Sequence, residues 1–543
     1  MKKGQEYIGT VEKIKFPNKG VVVPLSETGE VCAEEGICIV KNVIPGQKIR
    51  FRVNKKRSGQ CEGMLLEVLS RSPMEIDSAC AHFGSCGGCA YQTLSYEDQL
   101  RIKEQQVHEL LSPVIMQKLK DENGETVDIR RLFEKIVPSP MQFGYRNKME
   151  FSFGDASPGG PLELGLHKRG SFYDIVSCRS CRIVDDDFRM ILTETLAYFR
   201  GKETTYFHKR THEGYLRFLL VRKAAATGEI LIDLVTTSQT PPDTICTQKS
   251  ILEDWTDMLL ELKLSGKIAG VLHTVDDGVA DAIVNDHTDI LYGRDWFNEK
   301  VLGLTFRITP FSFFQTNTLS AEVLYSKVRE YVDIALADPD KEQGKKSKVV
   351  YDLYSGTGTI GQLMSTKAEA VIGVEIVEEA VKAANENAEL NGLHNCRFVV
   401  GDVLKTLDEI EDKPDLIILD PPRDGINPKA LAKIINYGVQ SMIYISCKPT
   451  SLARDLVTLI NGGYFPVRIC PIDQFPATSH VETVVQLSKG DIDRDSSERK
   501  SIAKTDDIGM ISGYNKGNKA PETTNVKIDF SLENLDLSEL RGR

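Results

Sequence analysis

The chain has 543 residues, 41% of them hydrophobic and 27% charged, with a formal net charge of −11. That length predicts more than one domain, each able to bury its own core, and the balance is that of a soluble globular protein. No run of about 18 uncharged apolar residues occurs, which excludes a membrane-spanning helix, and the net charge excludes a uniformly basic nucleic-acid binder.

The first residues, MKKGQEYIGTVEKIKF, have two lysines but no apolar stretch after them and do not read as a signal peptide, so a cytoplasmic location is expected. In that compartment the 12 cysteines are not expected in disulfides, and metal-binding or catalytic roles come forward. Residues 1–70 hold 12 Lys or Arg against 8 Asp or Glu, a local basic excess suited to phosphates. Residues 7–14, 20–24, 31–40, 47–54 and 64–69 are predicted strands, punctuated by Gly29, Gly36, Pro45-Gly46 and Ser58-Gly59. Five short strands suit a small OB-type barrel, used both as a single-stranded nucleic-acid platform and as a plain structural module.

Cys80, Cys86 and Cys89 follow in a Gly-rich loop, Phe83-Gly-Ser-Cys-Gly-Gly-Cys89. Three close thiols in a reducing compartment read as metal ligands, with a fourth from Cys178-Arg-Ser-Cys181. Four thiolates suit zinc or a [4Fe–4S] cluster equally. Cys32, Cys38, Cys61, Cys246, Cys396 and Cys470 show no ligand spacing and read as packing residues. An amphipathic helix is expected over 95–111 and an acidic surface loop over 121–128. Residues 137–310 read as mixed and mostly β, with runs at 148–153, 216–221, 230–236 and 270–273. Residues 338–348 read as a linker and 489–543 as a disordered tail.

From 349 to about 488 strands and helices alternate, the pattern of a parallel sheet with crossover helices. Val349-Val-Tyr-Asp-Leu-Tyr-Ser-Gly-Thr-Gly-Thr-Ile-Gly361 is a strand, a glycine-rich turn and a helix start. Acids close four successive strands: Asp352, Glu375, Asp402 and Asp420. Ligands bind at that carboxyl edge, and an acid there favours a cationic sulfonium over a pyrophosphate. The arrangement resembles the S-adenosylmethionine-dependent methyltransferase fold. Cys447 ends a further strand and precedes a helix whose amino terminus is expected to favour a thiolate. A thiolate there suits one kind of acceptor, a uracil ring whose C5 becomes reactive once sulfur adds at C6. The C5 proton then needs a base, and Glu482 and His480 are the candidates. Phe311, Phe313 and Phe314 are candidates to stack on the base.

The motifs SCKPTSLARD, DPPRDGINP, Phe313-Phe-Gln-Thr-Asn317, Tyr354-Ser-Gly-Thr-Gly358 and DQFPATSHVET together resemble the RNA uracil-5-methyltransferase family, over nearly all of residues 1–488. The resemblance implies that Cys447 is the nucleophile and Glu482 the base. It implies that Gln315, Tyr354, Glu375 and Asp420 hold S-adenosylmethionine, with Asp402 a weaker member. It further implies a TRAM-type RNA-binding barrel at 1–72, with Tyr7, Lys13, Lys15, Phe16, Lys55, Lys56 and Arg57 as contact candidates. A central mixed α/β domain at 73–310 and a Rossmann-like methyltransferase domain at 311–488 follow. The cysteine loop resembles that of the ribosomal-RNA members, which implies a [4Fe–4S] cluster on Cys80, Cys86, Cys89 and Cys181, with zinc and Cys178 as the alternatives. The same loop favours 23S rRNA over transfer RNA, acted on by a monomer. Lys448 stands where the family more often has asparagine and adds a cation near the thiol. An amino-methyltransferase would carry an aromatic where Arg423 stands and would leave Cys447 without work; a non-catalytic RNA-binding factor is the other alternative.

Overall fold

The computed structural model describes residues 1–26, 28–57, 60–119, 129–239, 248–336 and 347–490. The expected acidic loop at 121–128, the Ser58-Gly59 turn, Cys246, most of the 338–348 linker and nearly all of the 489–543 tail lie outside the described residues.

Strands β1 (Glu6–Lys15), β2 (Lys19–Leu25), β3 (Cys38–Lys41), β4 (Lys48–Arg57) and β5 (Gln60–Ser70) close into a barrel in the order β1-β2-β3-β5-β4. Val11, Val22, Val40, Ile49, Phe51 and Val53 fill its interior. The third strand is shorter than the predicted 31–40. Val31 makes one bridge to Leu25, and Ala33–Glu35 form a 3₁₀ turn running into Gly36 at φ 71°. Two neighbouring acids and a left-handed glycine break the pleat there. Of the expected contact residues, Phe16 is buried in a core and is not available to RNA.

Helix α1 (Tyr96–Leu119) runs past its predicted end and through Pro113. Its Val107, Leu111 and Ile115 lie in one core with Val349, Tyr351 and Leu353 of the carboxy-terminal sheet. The central sheet comprises β6 (Lys148–Asp155), β7 (Leu162–His167), β8 (Ile175–Ser177), β9 (Leu216–Lys223), β10 (Glu229–Thr236), β11 (Lys267–Val275) and β12 (His287–Gly293), in the order β12-β11-β10-β9-β6-β7-β8. Helices α2 (Asp186–Gly201) and α3 (Gln248–Leu260) pack on it through Phe188, Phe199 and Trp255. A hairpin of β13 (Phe297–Val301) and β14 (Leu304–Ile308) leads to α4 (Thr318–Leu336).

The last sheet alternates β15 (Ser347–Leu353), α5 (Thr359–Met364), β16 (Ala368–Glu375), α6 (Glu378–Leu390), β17 (Cys396–Val400), α7 (Val403–Thr406), β18 (Leu416–Leu419), α8 (Pro428–Asn436), β19 (Ser441–Ser446) and α9 (Pro449–Asn461), then ends with β20 (Tyr464–Ile472) and β21 (Glu482–Lys489). Its order is β17-β16-β15-β18-β19-β21-β20. The first five strands are parallel, and β21 inserts antiparallel between β19 and β20. Helices cover the faces, so β18 is an unbroken buried run, Leu416-Ile-Ile-Leu419. Strand order reverses between β15 and β18, which opens a crevice at their carboxyl ends.

Candidate active site

Cys447 is the first residue after β19. Ser446 pairs with Thr483 of antiparallel β21, so one further step of that register sets Cys447 opposite Glu482. Glu482 is 4% exposed, and burial pushes its carboxyl up to about 7, with the Arg423 guanidinium pulling the other way. Asp420 follows β18 directly. Burial, and then the Glu482 and Asp352 charges, drive its carboxyl well above the usual range.

The Cys447 thiol is pushed up to about 12 by burial and by the charges of Glu482 and Asp420, against Arg423. The expectation of a thiolate favoured by α9 and Lys448 is therefore corrected. Lys448 caps α9 with its backbone alone, and its ammonium lies 3.8 Å from exposed Asp424. Half a unit of helix-end charge does not outweigh burial together with two carboxyl groups. His480 is held neutral, its imidazole lowered to about 4 by burial and then by the Arg423, Lys103 and Arg146 charges.

The DPPR loop is clasped to α9. Ser451 Oγ donates to the Arg423 carbonyl at 2.6 Å and Arg454 Nη2 to the Asp424 carbonyl at 2.5 Å. The Asp455 carboxylate accepts from the Ile426 amide at 2.8 Å and the Tyr444 hydroxyl at 2.7 Å. Gly425 sits inside this clasp at φ 74°, where a Cβ would lie 2.4 Å from Arg454 Nη2.

Across the crevice, buried Asp352 accepts from the Gly361 amide at 2.8 Å through Oδ2, while its Oδ1 and the Ser355 hydroxyl have no protein partner. Burial raises the Asp352 carboxyl to about 7. Tyr354 stands at φ 66°, a conformation that costs a non-glycine residue about 1 kcal/mol or more and concentrates at functional sites. Glu375 takes the Gly356, Ile376 and Val377 amides at 3.0, 2.8 and 3.0 Å. Asp402 caps α7 by accepting from the Leu404 amide at 2.9 Å. Gln315 Oε1 accepts from Gln474 Nε2 at 2.7 Å. Of the three phenylalanines, Phe314 is in the core, Phe311 is half-buried, and Phe313 is 68% exposed beside the glycine-rich turn.

Two further residues position this wall. The Arg222 guanidinium, on a buried strand of the central sheet, donates through Nη1 to the carbonyls of Thr309, Pro310 and Ser312 at 2.7, 3.1 and 2.8 Å, immediately before Phe313. Asn317 Nδ2 donates to the Gln474 carbonyl at 2.7 Å. The signal for Arg222 was in the sequence: an arginine within Leu216-Arg-Phe-Leu-Leu-Val-Arg-Lys223 is stable inside only if its donors are met.

Residues 232–490 match the family model described as tRNA (Uracil-5-)-methyltransferase. Over 492 residues the chain is 44% identical to an uncharacterized RNA methyltransferase of Clostridium tetani, spanning 90% of this chain and 99% of that protein. An uncharacterized RNA methyltransferase of Caldanaerobacter subterraneus subsp. tengcongensis is 46% identical over 451 residues, spanning 83% and 93%.

The chain belongs to the RNA uracil-5-methyltransferase family.

The solved structure of the Pyrococcus abyssi tRNA (uracil-54, C5)-methyltransferase, in complex with S-adenosyl-L-homocysteine, superposes with a TM-score of 0.63 over 88% of this chain and all 100% of that one. At 22% identity this likeness speaks for the fold.

In this family member the cysteine-rich loop lies against the central core, with Cys178 and Cys181 inside it and Cys86 and Cys89 packed on it. The close approach of the Cys86 and Cys178 thiols lowers the Cys86 thiol and raises its partner's. Burial raises Cys89 to about 12, and Cys181, Cys86 and Cys80 add to it. Among the described residues, no three His, Cys, Asp or Glu side chains form a metal-holding group. The donor chemistry still fits a thiolate-ligated metal: Cys181, Cys86 and Cys80 lie near enough to Cys89 to act on its thiol, and the Gly88 amide and Gln92 Nε2 donate to Cys86 and Cys89 Sγ at 3.3 and 3.6 Å. The loop also reaches the segment that leads into Glu482, because the amides of Ala90 and Tyr91 both donate to the Ala477 carbonyl, at 2.8 and 2.9 Å.

Proposed function

We propose that the protein methylates C5 of a uridine in structured RNA, with 23S ribosomal RNA as the favoured substrate and S-adenosyl-L-methionine as the donor. The observation that carries this reading is a thiol and a buried carboxyl set opposite each other, Cys447 and Glu482, at the carboxyl edge of the sheet. When bound, the donor supplies an electrophilic methyl group. Gln315, Tyr354, Glu375, Asp402 and Asp420 would hold it, and the unpartnered Asp352 Oδ1 and Ser355 Oγ supply acceptors in the same carboxylate-lined crevice, which suits a sulfonium cation.

Uracil C5 is a weak nucleophile. The Cys447 thiol, held protonated at rest, first gives up its proton to water; the freed sulfur pair then bonds to C6 and moves the ring's C5–C6 electron pair to C5, which can then accept a methyl. C5 afterwards carries both a methyl and a proton. Glu482 takes that proton, the C–H electron pair restores the C5–C6 double bond, and the sulfur leaves with its own pair. A carboxyl raised to about 7 is protonated below that pH and can accept nothing. The turnover rate is accordingly expected to rise with pH through about 7. Glu482→Gln removes the base and keeps the thiol, so an RNA–protein adduct resistant to denaturing detergent should accumulate. Fully methylated, freely released RNA at the wild-type rate would contradict the assignment.

The cysteine loop supports ribosomal RNA as substrate. Transfer RNA is the second reading, favoured by the structural likeness to the archaeal tRNA (uracil-54, C5)-methyltransferase. Mass mapping of both RNAs from a deletion strain decides between them by where a methyl disappears. The barrel is read as a TRAM-type RNA-binding attachment, and the protein as a cytoplasmic monomer. Cys80, Cys86, Cys89 and Cys181 are read as holding a [4Fe–4S] cluster that fastens the loop, with zinc the alternative metal and Cys178 a competing ligand through its contact with Cys86. Anaerobically purified protein is expected to be brown and to contain iron and sulfide. Zinc alone would overturn the cluster, and metal retained in Cys181→Ser but lost in Cys178→Ser would exchange the fourth ligand.

A further inference from the structure

The β7–β8 hairpin ends in Lys168-Arg-Gly-Ser-Phe-Tyr-Asp174, a loop outside the crevice described above. Phe172 at its tip is 58% exposed and Tyr173 43% exposed. Their rings meet edge to face, centroids 5.5 Å apart. Each ring carries a cation from another segment: Lys209 Nζ lies 4.5 Å from the Phe172 centroid, and the Arg210 guanidinium 4.4 Å from that of Tyr173.

The arrangement is held in place. The Lys168 amide donates to the Asp174 carbonyl at 2.8 Å, and Ser171 Oγ accepts from the Asp174 amide at 3.1 Å. Lys209 is fixed by Asp281 at 2.7 Å and by the ring of His167 at 3.2 Å. A soluble surface does not usually keep two adjoining rings in water. Rigid rings flanked by cations are what unpaired nucleobases and their phosphates pack on.

Charge points the same way. In a chain of net −11, residues 167–182 and 207–213 hold six Lys or Arg against two Asp or Glu, and Asp281 against Lys209 adds one further acid, which leaves the surface basic. Position does too. The Arg169 amide donates to the Ser85 carbonyl and its Nη2 to the Cys89 carbonyl, both at 2.7 Å. The residues after Cys89 are those bonded to Ala477, on the segment that leads into Glu482.

We infer that the Phe172–Tyr173 tip, with Lys209 and Arg210, is a second RNA-binding platform that stacks unpaired nucleotides flanking the target uridine. This rests on RNA being the substrate. It is tested with a fluorescein-labelled oligouridylate of about 15 nucleotides, using the full chain with its metal. Phe172→Ala/Tyr173→Ala is expected to weaken binding roughly ten- to a hundredfold, leaving S-adenosyl-L-methionine binding unchanged. Methylation should show a raised KM for RNA at unaltered kcat. Phe172→Tyr/Tyr173→Phe, which keeps both rings, is expected to bind like the wild type, and Arg210→Gln to flatten the salt dependence by about one unit of slope. Oligouridylate affinity unchanged in the alanine pair would overturn the platform. So would an equal loss on a blunt RNA duplex, which offers no free bases, or an equal loss in the ring-keeping pair. Failure of the methylation reading shows separately, as absence of the Glu482→Gln adduct, while the oligouridylate contrast still reports on the rings.

Discussion

Cys447→Ala is expected to lower methyl transfer to RNA at least about ten-thousandfold, the scale on which enzymes lose rate with their nucleophile. The fold and donor binding should survive, because Cys447 is half-buried and forms none of the clasp that holds the DPPR loop. The resting thiol adds a second expectation. Raised to about 12, it is almost wholly protonated at neutral pH, so iodoacetamide should label it slowly, with a rate that climbs about tenfold per pH unit from 7 to 9. The carboxyl groups that hold the thiol protonated sit where the donor's positive charge is proposed to lie. With label followed on the peptide that carries residue 447, donor added before the reagent should accordingly alter its labelling profile, and Cys447→Ser should remove label from that peptide alone. Undiminished methylation by Cys447→Ala would end the adduct scheme.

The second large effect concerns stability. Lys103 of α1 and Asp473, on the segment between β20 and β21, form an ion pair at 2.6 Å, both side chains 0% exposed. Lys103 also donates to the Phe475 carbonyl at 3.1 Å, and Asp473 Oδ2 has no partner of its own. Lys103→Met leaves a buried carboxylate uncompensated and is expected to destabilise the protein by about 3–5 kcal/mol. The double change Lys103→Met/Asp473→Leu should recover most of that, since replacing both partners by apolar groups is often neutral. Chemical denaturation of the three variants measures the coupling. A double variant no more stable than Lys103→Met would show that the pair acts through packing.

The parallel strands of the carboxy-terminal sheet were legible because each announces itself twice, by an apolar run and by an acid or thiol at or near its end, as in Leu416-Ile-Ile-Leu-Asp420 and Met442-Ile-Tyr-Ile-Ser-Cys447. Cys447 and Glu482 were legible as candidates at strand ends, but their facing each other was not: nothing local says that the strand Glu482 enters runs antiparallel to the one ending at Ser446. The ionisation of the thiol was misjudged because a helix terminus is visible in sequence while the neighbouring carboxyl groups arrive from other strands. Arg222 and Lys103 were passed over for a similar reason, their partners lying far along the chain. The third barrel strand was overextended because β-branched residues at Val31 and Ile39 read as one run across an acidic turn.

The Lys103–Asp473 contact spans 370 positions. At roughly 5–20 residues per second on the ribosome, the ammonium emerges about 20–70 s before the carboxylate that neutralises it. For that interval α1 has no completed sheet to lie on, and Val107, Leu111 and Ile115 face water or a chaperone. The catalytic half is therefore not a portable cassette. Expressed without the first helix it should aggregate, and supplying residues 96–119 as a separate peptide should rescue its solubility.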